Sequence, residues 1–213
     1  MDKNLQWVNE QKIIRTIEAL NKNNMNGYMV SKKDELIEKI DEIMADNSKV
    51  GCGGSMTLFE TGVIDHLRCG KYDFLDRYKE GLKPEDIKEI YRQSFLCDYY
   101  VTSSNAVTEN GELYNVDGNG NRVAAMLYGP DKVIVVVGVN KIVKDIDEAV
   151  LRVKECAAPA NTKRLNKDTP CAKVGKCMNC SSKDRICNEY TVIKKQGNKD
   201  RIHVIFINDN FGY

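Results

Sequence analysis

The run at residues 132–139, KVIVVVGV, constrains this chain more than any other stretch. It is apolar at successive positions, so it lacks the alternation of a strand wetted on one face. It is also too short and too β-branched for a buried helix. Such a run fits a central strand covered on both faces, which in soluble proteins means a parallel sheet between two layers of helices. The rest of the chain must therefore supply those helices and further strands.

Residues 5–25 place Leu5, Val8, Ile13, Ile17 and Leu20 near one helix face, and Asn26-Gly27 breaks the pattern before a short strand at 27–30. Ser31 is the expected cap of a second helix striped by Leu36, Ile37, Ile40 and Ile43, with Asp34 three residues on as a weak capping-box partner. Residues 49–52 read as a strand entering a glycine-rich turn, and the helix from about Thr57 is interrupted at Gly62. Pro84, Glu85 and Asp86 open a helix to about Cys97, because acidic residues suit the positive end of a helix. Residues 99–107 and 112–117 read as strands around the turn Glu109-Asn110-Gly111, and 121–128 and 145–156 as helices. After Pro159 the pattern dissolves, leaving two strand-like runs at 190–193 and 202–207. Helices alternate with strands, so the fold class is α/β with a mostly parallel sheet. Residues 1–159 form the main domain, and 160–213 form a small Cys-rich segment whose final strands pack on it.

A chain of 213 residues suits one large domain with a small appendage. The net charge of +1 gives no whole-molecule field toward nucleic acid or a membrane. The charge is unevenly spread, however: residues 160–203 hold 11 Lys/Arg against 4 Asp/Glu. The first residues, MDKNLQ, are charged from position 2 and carry no signal-peptide core. No apolar run approaches the roughly 18–20 residues of a membrane span. A cytoplasmic location is therefore expected, and there thiols stay reduced. Eight cysteines in that setting point to metal binding or chemistry more than to disulfides.

Gly51-Cys52-Gly53-Gly54-Ser55-Met56-Thr57 joins a strand to a helix. Glycines let the backbone approach a ligand, helix-start N–H groups favour an anion, and Ser55 and Thr57 add hydroxyls. The plain alternative is a tight turn with Ser55 or Thr57 as a helix cap. Glu109 sits in the polar turn Thr108-Glu109-Asn110-Gly111-Glu112, either as a solvated hairpin tip or, if it faces the glycine turn, as a base or nucleophile. Arg122 follows a second polar turn and either holds an anion or lies on the surface. His66 and His203 stand alone, and neither is assigned a role.

Cys171, Cys177, Cys180 and Cys187 fall within 17 residues in loops of Gly, Lys, Ser and Asn, which give no packing reason for cysteine. Four thiolates so spaced can wrap one ion or cluster. A [4Fe–4S] cluster is the expected centre, with zinc as the alternative. Cys52, Cys69, Cys97 and Cys156 sit in elements and read as ordinary buried thiols.

Gly53-Gly54-Ser55-x-Thr57 with Glu60-x-Gly62 resembles the LUD (lactate-utilisation) family. So do Ser104-Asn105-Ala106-Val107-Thr108-Glu109-Asn110-Gly111, Gly120-Asn121-Arg122 and Gly129-Pro130-Asp131-Lys132-Val133. The resemblance implies a Rossmann-like sheet flanked by helices, similar to the sugar-isomerase and CoA-transferase superfamily, with ligands at the strand ends. It adds Asn105, Thr108, Asn121 and Arg122 to Gly53, Gly54, Ser55 and Thr57 as ligand-binding candidates. It also implies a part in L-lactate oxidation beside iron–sulfur or oxidoreductase partner proteins. Thr108-Glu109-Asn110-Gly111 resembles the glutamate turn of CoA-transferases, which pair two such domains; a homo-oligomer would have to supply the second here.

The leading reading is a cytosolic lactate-utilisation protein that binds a small anion, a carboxylate or its CoA ester, between residues 53–57 and Glu109, with a four-cysteine metal centre. One rival is a transferase or isomerase with Glu109 as nucleophile or base. Another is a zinc-stabilised binding protein whose basic tail grips nucleic acid.

Overall fold

The computed structural model describes residues 2–213. Its elements are α1 (Lys3–Lys22), β1 (Asn26–Val30), α2 (Lys33–Ile43), β2 (Lys49–Cys52), α3 (Met56–Glu60), α4 (Val63–Leu67), β3 (Asp73–Phe74), α5 (Pro84–Gln93), β4 (Tyr99–Thr102), β5 (Ala106–Thr108), β6 (Leu113–Asp117) and α6 (Asn121–Leu127). They continue with β7 (Lys132–Gly138), β8 (Ile142–Val143), α7 (Ile146–Arg152), α8 (Ala158–Arg164), α9 (Pro170–Val174), β9 (Glu189–Ile193) and β10 (Ile202–Ile207). Six strands form one sheet in the order β1-β10-β7-β4-β2-β3, and every pairing in it is parallel. The α/β class with a mostly parallel sheet is what the sequence pattern implied, and the Rossmann-like sheet flanked by helices is what the resemblance implied.

Strand β7 behaves as its composition requires. Val133, Val135 and Val137 enter one core with Ile13, Leu20 and Phe206. Ile134 and Val136 enter the other with Leu36, Ile40 and Leu58. Each such side chain contributes about 1.5–3 kcal/mol on full burial, so a polar face on this strand would be costly. Strand β10 is buried along its whole length and lies between β1 and β7, so a late segment of the chain occupies the middle of the sheet.

A second sheet, β8-β5-β6-β9, is mixed and was not expected. It explains the largest departure from the pattern. Residues 99–107 are not one strand: β4 stays in the large sheet, the chain turns at Ser103-Ser104-Asn105, and β5 begins the small sheet. Both halves are apolar, so hydropathy alone does not reveal the change of sheet. The turn after β5 lies against α1. Gly111, at φ +76°, makes this approach possible, since a Cβ there would sit 2.6 Å from the backbone of Ala19 and Leu20.

Two helix boundaries also differ. Ser31 does not cap α2: the N-cap is Lys32, and the Ser31 backbone N–H instead donates to Glu35 Oε2 at 2.7 Å. Helical structure does not end at Pro159. Asp145 caps α7, a π-type turn at Val153–Ala157 follows, and α8 carries Pro159 in its first turn. There the missing proline N–H costs little.

Candidate functional site

Because the large sheet is parallel, β2, β4, β7 and β10 all end on the same edge, where α/β sheets place their ligand crevice. The segments leaving them are Gly53-Gly54-Ser55, Ser103-Ser104-Asn105, Val139-Asn140-Lys141 and Asn208 to Tyr213. A polar cavity of about 230 Å³ lies there, lined by Gly54, Ser55, Ser103, Ser104, Asn105, Lys141 and Tyr213 of these segments and by Arg77 and Arg164.

Lys141 is the unusual residue here. It is only 2 % exposed, and its Nζ donates to Thr57 Oγ1 at 2.8 Å and Ser103 Oγ at 3.1 Å. Both hydroxyls in turn donate to backbone carbonyls, Thr57 to Phe211 and Ser103 to Ser104. No carboxylate pairs with Lys141 among the described residues. Burial, aided by the nearby cations Arg152 and Arg122 and opposed by Glu60, pushes its pKa down to about 7.

Two other cations of the cavity, Arg77 and Arg164, also lack a carboxylate partner. Arg77 donates to the Tyr91 hydroxyl, with its guanidinium over the Tyr78 and Tyr91 rings. Arg164 donates to Asn161 Oδ1. The one acid on the cavity wall, Asp117, is already engaged: it accepts from Arg122 Nε at 2.9 Å and from the Val123 backbone at 3.0 Å. The cavity therefore carries uncompensated positive charge, which suits an anion.

Of the residues expected from sequence, Gly54, Ser55, Asn105, Asn121 and Arg122 line this cavity. Gly53 lies beneath it, packed so closely that a Cβ would meet Thr102 Oγ1 at 2.5 Å and Arg122 Cγ at 3.0 Å. Thr57 acts through Lys141. All five N–H groups of Arg122 are spent on the protein: on Asp117, Asn115 Oδ1, Asn105 Oδ1 and the carbonyls of Ser103 and Val116. Its guanidinium thus fixes the β4–β5 turn and the end of β6.

Thr108 and Glu109 are elsewhere. Thr108 is tied to Glu112 within its own turn. Glu109 does not line the cavity: it leaves the far end of β5 and pairs with Arg15 of α1 at 3.1 Å. The expected meeting of Glu109 with the glycine turn does not occur, because the β4–β5 turn delivers only the start of β5 to the crevice.

The cysteines do not assemble into a four-thiolate site. Among the described residues no three His, Cys, Asp or Glu side chains come together as a metal-holding group. Cys171 is buried against the Thr162 and Thr169 hydroxyls, each at 3.3 Å. Arg185 holds the carbonyls of Cys180 and Cys187, and the Cys177 backbone N–H donates to Lys154 O. As placed, these side chains offer no three-ligand group to a [4Fe–4S] or zinc centre. Of the remaining thiols Cys52 and Cys97 are buried as expected, whereas Cys69 and Cys156 are exposed.

Sequence reading missed Lys141, Arg77, Arg164 and Tyr213. Lys141 was within reach of it, because the residue stands just past the carboxyl end of the most apolar strand, the position where a parallel sheet displays its chemistry.

The family model for the LUD domain matches residues 13–207. The chain belongs to the LUD domain family. It is accordingly a lactate-utilisation-type protein, and the match spans both the α/β core and the Cys-rich segment. No curated protein sequence matches it. Among solved structures, a DUF162 family protein from Deinococcus radiodurans overlays on 93 % of this chain and 98 % of its own, at 16 % identity and a TM-score of 0.55. This likeness concerns the fold. Partial overlays reach the delta subunit of eIF2B from Chaetomium thermophilum (17 % identity, TM-score 0.37, 56 % of this chain and 51 % of that one) and ribose 5-phosphate isomerase from Plasmodium falciparum (15 %, 0.33, 53 % and 52 %). Among the described residues of this LUD domain no helix is long and apolar enough to cross a membrane.

Proposed function

We propose that this LUD-domain protein binds a small carboxylate in the crevice at the ends of β2, β4 and β7, as a cytoplasmic component of lactate utilisation. The supporting observation is the pair Arg77 and Arg164 on one cavity, neither paired with a carboxylate, with the buried Lys141 amine lining the same space. An anion would give these guanidinium groups the charge-assisted partners they lack. The volume argues for a short organic acid: about 230 Å³ is below the 300–1,000 Å³ typical of pockets for drug-sized ligands, and a whole CoA ester is larger still. The position of Glu109 on the α1 side favours this reading over a glutamate-nucleophile transferase.

Calorimetric titration with lactate, pyruvate, phosphate and a CoA ester tests the proposal. The short carboxylates should bind and the CoA ester should gain nothing over its acyl acid. Arg77→Ala and Arg164→Ala should each weaken binding by roughly tenfold or more, since a charge-assisted hydrogen bond contributes about 1.5–3 kcal/mol. Equal affinity in both variants, or no binding of any acid, would overturn it.

A further inference from the structure

We propose that Lys141 forms a covalent imine with the carbonyl of a 2-oxo acid bound in this cavity. The inference rests on the anion-binding reading above and extends it to a substrate class and a reacting atom.

The geometry has four parts. Lys141 lines the cavity, is 2 % exposed, and donates from its nitrogen to two hydroxyls, one of them on the cavity-lining Ser103. Those partners accept rather than donate, because each hydroxyl hydrogen is directed to a carbonyl, Phe211 for Thr57 and Ser104 for Ser103. A neutral amine that spends two N–H bonds on Thr57 and Ser103 keeps its lone pair free at the remaining corner of the nitrogen. Finally, no carboxylate sits beside Lys141 to hold it as an ammonium ion, while desolvation and the neighbouring arginines favour the uncharged form. A lysine serving only to bind anions would gain from keeping its proton; this one is placed to lose it.

The substrate class follows from the size and charge of the site. The cavity offers cations for a carboxylate and one nucleophilic amine, within a small volume. A ligand that meets both must carry its carbonyl close to its carboxylate, as 2-oxo acids do. The step balances without a co-reactant. The Nζ lone pair forms a C–N bond to the carbonyl carbon, and the carbonyl electrons move to oxygen. A proton passes from nitrogen to that oxygen, the resulting hydroxyl leaves as water with a second proton, and the C=N bond closes. No electron is gained or lost overall. Lactate has a hydroxyl where pyruvate has the carbonyl, so it can occupy the site but cannot react.

The test is reductive trapping of the full chain with pyruvate and sodium cyanoborohydride, read by intact mass and peptide mapping. Calorimetry of pyruvate and lactate runs in parallel. The expected result is one reduced adduct at Lys141 with pyruvate, none with lactate, and loss of that adduct in Lys141→Met, which removes the amine without burying a permanent charge. Trapping should already be efficient near pH 7, where a free lysine amine reacts far more slowly. Pyruvate binding without an adduct, or adducts spread over surface lysines, would overturn the imine and leave the anion site standing. Absence of binding by either acid would overturn the anion site itself, and the imine with it.

Discussion

The strand-end cavity and the Cys-rich segment between α8 and β9 are the two polar regions of this molecule, and they are built in opposite ways. At the base of the cavity two charged groups are buried and tightly tied: Arg122 uses every donor it has, and Lys141 rests on two hydroxyls. In the Cys-rich segment, most side chains face solvent, and the chain is held by backbone contacts such as Asn188 N to Asp117 O and Ser182 Oγ to Asp168 O. Buried polarity is expensive to disturb and exposed polarity is not. The conspicuous sequence cluster, four cysteines, thus lies in the looser region, whereas the tighter one rests on residues that stand out little in the sequence.

The comparison breaks if perturbations cost the same in both regions. The largest effect expected is that of Arg122→Ala, which strands the buried Asp117 carboxylate and its other acceptors. It should cost about 3–5 kcal/mol by denaturant unfolding. Arg185→Ala, which also removes several hydrogen bonds but near solvent, should stay within about 1 kcal/mol.

A pH series on Lys141 comes next. Its folded pKa is about 7 against an ordinary 10.5, so between those values the unfolded chain binds the additional proton. Stability of the wild type should therefore rise with pH across that window and be lowest below about pH 7. The difference from Lys141→Met should change by a few kcal/mol, since each tenfold loss of proton affinity corresponds to about 1.4 kcal/mol. A flat difference curve would show that the amine is solvated.

Within the glycine turn, Gly53→Ala should cost about 1–3 kcal/mol, because its Cβ meets Thr102 and Arg122. Gly54→Ala should cost less, since its nearest neighbour is the flexible Arg77 guanidinium at 3.4 Å. Thermal unfolding of the pair checks this. Smallest of all, Cys177→Ser, Cys180→Ser and Cys187→Ser should each fall within about 0.5 kcal/mol. Equal, large losses accompanied by stoichiometric iron or zinc in anaerobically purified protein would reverse the comparison.

What is legible in the sequence follows the same division. Strand β7, the helices around it and the break at Gly62 can be read because apolar periodicity and glycine act locally. The glycine turn and Asn105, Asn121 and Arg122 are recognisable as a group through family resemblance. The change of sheet at Ser103–Asn105 is not, because it leaves hydropathy unaltered, and a reading without it puts Glu109 beside the glycines. The spacing of the cysteines suggests a metal site, but spacing says nothing of where thiols point. In the structure, Thr162 and Thr169 occupy Cys171.

Strand β10 has a consequence for the timing of assembly. It joins β1 to β7, whose sequence positions lie some hundred residues apart, and it is the last strand in chain order among the described residues. Until it docks, two rows of unpaired backbone groups in the middle of the sheet face each other across a gap. The Asn208–Tyr213 stretch that supplies the Phe211 carbonyl to Thr57 follows directly behind it. Without β10 and the residues behind it, the sheet stays open between β1 and β7 and Thr57, the partner of Lys141, loses its Phe211 acceptor.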